Sequence, residues 1–115
     1  MIKRVTLLKR KPGLSLEEFR EQYEDVHVPL ALKLLPTMKR MVRNYVIHTS
    51  NEEPEFDCIT HTWFDDMEGF QTMIDTMTGT SVGHASQALG HSVAVFMDTT
   101  KTAYVLVEEV ESEMD

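Results

Sequence analysis

Residues 15–36 restrict this chain's fold more than any other segment. Ser15 stands as a helix N-cap, and Glu18 three residues later completes a capping box, so the first turn has partners for its orphan amides. Leu14 and Phe19 occupy the positions of a hydrophobic staple. Beyond them Leu16, Phe19, Tyr23, Val26, Leu30 and Leu34 recur at steps of three and four, which predicts one helix with one apolar face, ended by Pro36. Such a helix has to lie against a second layer. The other patterned segments mostly read as strands.

Residues 2–10, "IKRVTLLKR", are rich in β-branched and apolar side chains and stop at the turn signal "KPG". Residues 41–48, "MVRNYVIH", alternate, with Arg43, Tyr45 and Ile47 on one face and Asn44, Val46 and His48 on the other. After the loop "TSNEEPE", residues 56–64 read as a third strand. One face carries Phe56, Cys58, Thr60, Thr62 and Phe64, the other Asp57, Ile59, His61 and Trp63. A second helix opens at Asp65 or Asp66, carries Met67, Phe70, Ile74 and Met77 as its stripe, and breaks at "TGTSVG". A short helix over residues 84–90 is weakly signalled, and residues 101–110 form the last strand.

The order βαββαβ predicts an α+β, ferredoxin-like domain: a four-stranded antiparallel sheet with both helices on one face. One domain spans residues 1–115, with an acidic tail from about residue 111. The uncovered sheet face also carries apolar residues, so a homodimer through facing sheets is expected.

Several functions are excluded or disfavoured. A formal charge of −8, from 19 acidic and 11 basic residues, opposes nucleic-acid binding. The basic residues cluster at Lys3, Arg4, Lys9, Arg10 and Lys11 and at Lys39, Arg40 and Arg43. They read as solvated strand ends and loops, with an anion-binding patch as the alternative. No apolar run reaches membrane-helix length, and the first residues do not read as a secretory signal. A single cysteine, Cys58, fits a reducing compartment, so a cytoplasmic protein is expected. Five histidines raise the question of a metal, but no zinc-type spacing is present. His84 and His91 would align only on one helix, which Gly90 argues against. The methionine-rich "MEGFQTMIDTM" reads as plastic core packing, and neither a metal nor a cofactor is expected.

His27 is the strongest candidate for chemistry. It follows Tyr23 by four residues and precedes Pro29 by two. Proline inside a helix costs about 3 kcal/mol, because it lacks a donor and crowds the preceding turn. Such an opening would aim the imidazole between helix and sheet. The alternative is a partly exposed edge histidine, with Pro29 only shaping the helix. Tyr23 belongs either to the same pocket or to the helix core, and Tyr45 is a strand aromatic or a site residue.

The stretches "VTLLKRKPGLSLEEFREQYEDVHVPLALKL", "EPEFDCITHTWFDD" and "FMDTTKTAYVLVEE" resemble the EthD family of dimeric α+β barrel proteins over nearly the whole chain. The most specific parts are His-x-Pro-Leu-Ala at residues 27–31 and Trp63-Phe64-Asp65. The resemblance implies the same fold and dimer, and the family's association with ether-degradation gene clusters implies a catabolic setting. It extends to the similar muconolactone methylisomerases, which use a helix histidine, a strand tyrosine and a strand cysteine without a cofactor. On that pattern His27 and Tyr45 match, the cysteine position falls at Thr62, and Cys58 lies four residues earlier on the same face. The family commonly has an acidic residue where His61 stands, which implies a further acid/base group.

The expected function is therefore a cofactor-independent lyase, isomerase or cyclase acting on a small carbonyl or lactone-type, aromatic-derived metabolite. His27 and Tyr45, with His61, are its expected catalytic residues, and Tyr23, Thr62, Trp63 and Cys58 its expected substrate contacts. One alternative is a cofactor-free monooxygenase of phenols using Trp63. The other is a small-molecule binding protein without turnover.

Overall fold

Strand β1 (Ile2–Leu8) occupies the middle of a sheet ordered β2-β3-β1-β4, in a computed structural model that describes residues 1–50, 53–79 and 85–114. The other strands are β2 (Arg40–Tyr45), β3 (Cys58–Phe64) and β4 (Ala103–Val107), and every pairing is antiparallel. Between β1 and β2 the chain runs through α1 (Leu16–Glu21), a π-helical segment (Gln22–His27) and α2 (Val28–Leu34). Helices α3 (Met67–Thr78) and α4 (Ala85–Phe96) connect β3 to β4. This is the predicted α+β, ferredoxin-like arrangement with α4 added as a full helix. Among the described residues no helix is long and apolar enough to cross a membrane.

The strand register decides which side chains meet the helices. Opposite residues of antiparallel neighbours share a face. Met41, Thr62, Arg4 and Leu106 therefore form one row across the sheet, and Tyr45, Cys58 and Leu8 lie in another. Both rows face the helices, as do those of Thr60 and Phe64: Leu8, Cys58, Thr60, Thr62 and Phe64 are all at most 4% exposed. The row next to that of Arg4, made of Val42, His61, Val5 and Val105, points to the other side. The buried core has two parts on the helix side. Leu8, Phe19, Tyr23, Val28, Cys58 and Phe96 form one, and Ala31, Leu35, Phe64, Phe70, Met73 and Leu89 form the other.

The first helix starts as predicted. The Ser15 hydroxyl accepts from the Glu18 amide at 3.1 Å, and the Glu18 carboxylate accepts from the Ser15 amide at 3.0 Å. Its buried face then departs from the expected stripe. The Val28 amide bonds to the Tyr23 carbonyl, five residues back, and this wide turn inserts one residue into the helix. The stripe slips accordingly. Phe19 and Tyr23 are buried as expected, but after them come His27, Val28, Ala31 and Leu35. Val26 is 49% exposed, Leu16 is 52% exposed, and Leu30 and Leu34 are only partly buried. The slip also places Pro29. It stands in the first turn of α2, where its missing N–H costs least.

Other boundaries shift for identifiable reasons. β2 ends at Tyr45, not residue 48: the Val46 amide still reaches the Asp57 carbonyl, but the Asp57 amide goes to the Leu8 carbonyl and Ile47 is left in solvent. The Asp57 side chain accepts the Arg10 amide at 2.8 Å, closing the end of the β1–β3 ladder in place of a further strand residue. β4 likewise covers only Ala103–Val107. Asp66, not Asp65, caps α3 by accepting from the Gly69 amide, and Gly79 ends that helix with φ +80°. Met67, assigned to its stripe, is 51% exposed, while Met73 is buried. Gly90 does not break α4. Beyond its own helix turn, no atom lies within 4 Å of where its Cβ would stand, and Leu89, Ser92 and Phe96 bury the helix face that holds α4 in place. His84 lies outside the described residues.

The one-residue slip is open to a direct test. Val26→Asp leaves the unfolding free energy from urea titration within about 0.5 kcal/mol of wild type. Val28→Asp, two residues later, costs several kcal/mol because it buries an unpaired carboxylate. An uninterrupted α-helix gives the opposite ranking.

Candidate functional site

The slip that buries His27 also brings it under α4. His27 is 8% exposed, and its Nδ1 lies 3.1 Å from the Ser92 hydroxyl, with Tyr23 and Phe96 rings at 5.8 and 5.2 Å. Burial alone pushes its pKa down to about 4, so the imidazole is neutral at pH 7. With Nδ1 engaged by Ser92, Nε2 is the ring nitrogen left for a ligand. When Nδ1 carries the proton and donates to Ser92, Nε2 is a lone-pair acceptor.

His27 forms part of the wall of a cavity of about 170 Å³ between the helices and the sheet. The polar side of that wall is Arg4, Thr6, Thr60 and Thr62 from the sheet, Tyr23 and His27 from the long helix, and Thr102 before β4. The apolar side includes Ala31, Leu35, Val93 and five of the chain's eight methionines: Met38, Met41, Met73, Met77 and Met97. Thioether side chains adapt to different shapes, so the lining suits a small, largely apolar molecule. The volume is close to the roughly 150 Å³ that admits a benzene ring in an engineered core.

Tyr23 serves both of the roles left open for it. It is core, at 3% exposure, and its hydroxyl lies 2.6 Å from Thr60 Oγ1 at the cavity wall. Burial pushes its pKa far above the ordinary phenol value, so it stays protonated and able to donate. Thr62 is buried on the same wall.

Tyr45 is on the helix side of the sheet but outside the cavity lining. Its hydroxyl donates to the Glu24 carboxylate, which Arg43 grips with Nε at 2.9 Å and Nη2 at 2.6 Å. The Arg43 bonds hold Glu24 below the usual carboxylate range, and burial with the Glu24 bond drives Tyr45 upward. This network ties the π segment to β2. Cys58 is fully buried beside Thr60, and burial pushes its thiol up to about 11, which makes it a poor nucleophile at neutral pH.

His61 and Trp63 stand on the opposite face of the sheet from His27. Their rings stack at 6.0 Å, with Lys3 and Arg40 over the indole at 5.0 and 4.6 Å. They border an open hollow of about 560 Å³ with Val42, Asn44 and Ile59. His61 is shifted below the usual histidine value by burial and by Lys3. The structure thus gathers His27, Tyr23 and Thr62 at one cavity and leaves Tyr45, Cys58, His61 and Trp63 out of its wall.

Arg4, Thr60 and Ser92 at this site were not singled out from sequence. As part of a basic cluster, Arg4 reads from sequence as a solvated strand end, with an anion-binding patch as the alternative. In the structure its Nε is buried, because Arg4 sits at mid-strand in the row that faces the helices. The alternation Ile2, Arg4, Thr6, Leu8 carried that signal, since only one of the strand's two faces could be solvated. Ser92 and Thr60 had no distinguishing sequence signal. Among the described residues no cluster of three or more His, Cys, Asp or Glu side chains could hold a metal ion.

A search of curated proteins finds no match for this chain. Solved structures show the same fold. An EthD family protein from Bacillus halodurans matches with TM-score 0.70 and 21% identity over 96% of this chain and 100% of that one. A dimeric ferredoxin-like protein of unknown function from Bacteroides fragilis matches with TM-score 0.60 and 14% identity, over 94% and 95% of the two chains. A putative antibiotic biosynthesis monooxygenase from Nitrosomonas europaea matches with TM-score 0.60 and 12% identity, over 96% and 100%. The EthD domain model matches residues 11–100, most of the chain, including the π segment, Pro29 and the buried face of β3. The chain belongs to the EthD family.

Proposed function

We propose that this protein is a cofactor-independent acid/base enzyme acting on a small carbonyl or lactone-type compound of about one ring's size. The observation that carries the reading is His27: neutral, buried, fixed through Nδ1 by Ser92, and set in the wall of a cavity that also holds hydroxyl donors. Nε2 takes a proton from the carbon beside the carbonyl. The charge that develops on the enolate oxygen is met by hydrogen-bond donors at the cavity wall, with Thr62 and the Tyr23–Thr60 pair nearest in chemistry. The imidazolium then returns the proton to carbon or to a leaving group. Lyase, isomerase and cyclase chemistry share this first step, and the similarity to muconolactone methylisomerases read from the sequence supports the same role for His27. Tyr23, not Tyr45, takes the tyrosine role, because the Tyr45 hydroxyl is committed to Glu24. The monooxygenase reading would need Trp63 near His27, and the sheet separates them.

The same proposal includes a homodimer through the outer sheet face. Val42, Val5 and Val105 align across it, and Val105 is 51% exposed in the single chain. The dimeric description of the Bacteroides fragilis neighbour agrees with this. The lone, buried Cys58 suits a reducing, cytoplasmic setting.

Three outcomes test these statements. In D2O, ring-sized enolisable ketones and lactones exchange their α-protons in the presence of the protein, and His27→Gln slows that exchange at least about 100-fold, the scale of general base catalysis. Ligand binding without exchange in the wild type identifies a carrier instead. The pKa of His27 is lower folded than unfolded, so the unfolded chain gains a proton first as pH falls. Stability therefore drops by about 2 kcal/mol between pH 7 and pH 5, and urea titrations of His27→Gln lose that share of the drop. Light scattering gives twice the 13.2 kDa chain mass, and Val105→Asp returns the monomer without unfolding it.

A further inference from the structure

Arg4 is a part-buried arginine with a buried Nε, and the proton chemistry above does not use it. It lies on the central strand between Thr62 and Leu106, and it lines the same cavity as His27. Its guanidinium carbon lies over the Tyr104 ring, 4.4 Å from the centroid. A cation–π contact of this kind uses the charge of the group and none of its five N–H donors. The Nε–H is buried and has no hydrogen-bond partner among the described residues, and no carboxylate among them pairs with this arginine.

Buried N–H donors are ordinarily paired, and one left without a partner destabilises a fold. The other arginine on this side of the sheet shows the ordinary solution, since Arg43 is matched by Glu24 at 2.6 and 2.9 Å. The rest of the Arg4 cavity adds no negative charge. Its wall holds hydroxyls, thioethers, aliphatic groups, and a tyrosine and a histidine that are both neutral at pH 7. A chain of net charge −8 thus sets a guanidinium at the wall of a cavity that no acidic side chain lines.

We infer that Arg4 is the anion-binding group of the cavity and takes a carboxylate, or a comparably acidic oxygen, of the ligand through its in-plane N–H donors. Planar guanidinium matches carboxylate geometry, and the pair forms inside a low-dielectric wall, where it is stronger than in water. The substrate class narrows accordingly, to small ring compounds with one acidic group at the Arg4 end and the reacting carbon toward His27. This rests on the cavity being the ligand site, not on the proton transfer assigned to His27.

Benzoate and its neutral analogue benzamide are the probes, titrated into the full chain and followed by ¹H–¹⁵N NMR. The wild type binds benzoate at least tenfold more tightly than benzamide. Arg4→Met removes that preference, Arg4→Lys keeps part of it, and His27→Gln leaves it intact. The Arg4 Nε–H resonance gives the same answer without a substitution, shifting with benzoate and not with benzamide. Equal affinity for the two probes, no benzoate response at that resonance, or a preference that survives Arg4→Met each overturns the assignment. Failure of proton exchange with the benzoate preference intact removes the acid/base reading and leaves this one standing. The converse result does the reverse.

Discussion

One extra residue in the long helix organises everything around the cavity. A regular α-helix from Leu16 to Leu34 would keep Val26, Leu30 and Leu34 in phase with Phe19 and Tyr23, and the sheet would see an aliphatic stripe. The π turn closes a bond from Val28 to Tyr23, and every later side chain rotates by about one residue's worth. His27 moves under Ser92, Ala31 replaces Leu30 against the sheet, and Pro29 falls in a first turn, where its missing amide is least harmful. Histidine and proline are thus two parts of one local geometry. Single π turns inside α-helices are frequent at functional sites, and here the turn provides the site's principal ring.

The cavity and its surroundings follow opposite electrostatic rules. Beside it, Glu24, Arg43 and Tyr45 satisfy one another and fasten the π segment to β2. Inside it, a histidine is held neutral by burial and the Arg4 Nε lacks a partner among the described residues. Both features reduce stability in the free protein, and such departures from the usual pairing of buried polar groups concentrate at places that bind or react. The five methionines of the wall are consistent with that reading, since they trade a fixed packing arrangement for adaptability.

The fold was largely legible in the sequence because its signals are local. The capping box at Ser15, the Asp66 cap, the alternation in residues 58–64 and the glycine at position 79 each fix an element by its own chemistry. The candidate site was legible only in part. His27 stood out through its proline, yet the residues that give it a setting, Ser92, Thr60 and Arg4, come from three other elements and carry no mutual spacing. The choice of sheet face could not be made from β3 alone, because Thr60 and Thr62 look polar and His61 and Trp63 look functional. Tertiary packing buried the threonines, and pairing with β1 sent the histidine and tryptophan to the far side. The π turn is invisible to a 3.6-residue period by construction. Gly90 misled because propensity alone argues for a break, whereas Leu89, Ser92 and Phe96 hold the helix through it.

The claim on which the account turns is that His27 is a neutral, buried base held through Nδ1. A ¹⁵N-detected pH titration of the imidazole resonances addresses it in the unmodified protein. The expected result is a neutral ring at pH 7 with the proton on Nδ1, and a midpoint at about 4. A midpoint near the ordinary histidine value of about 6.5, with both nitrogens exchanging freely with solvent, would contradict it.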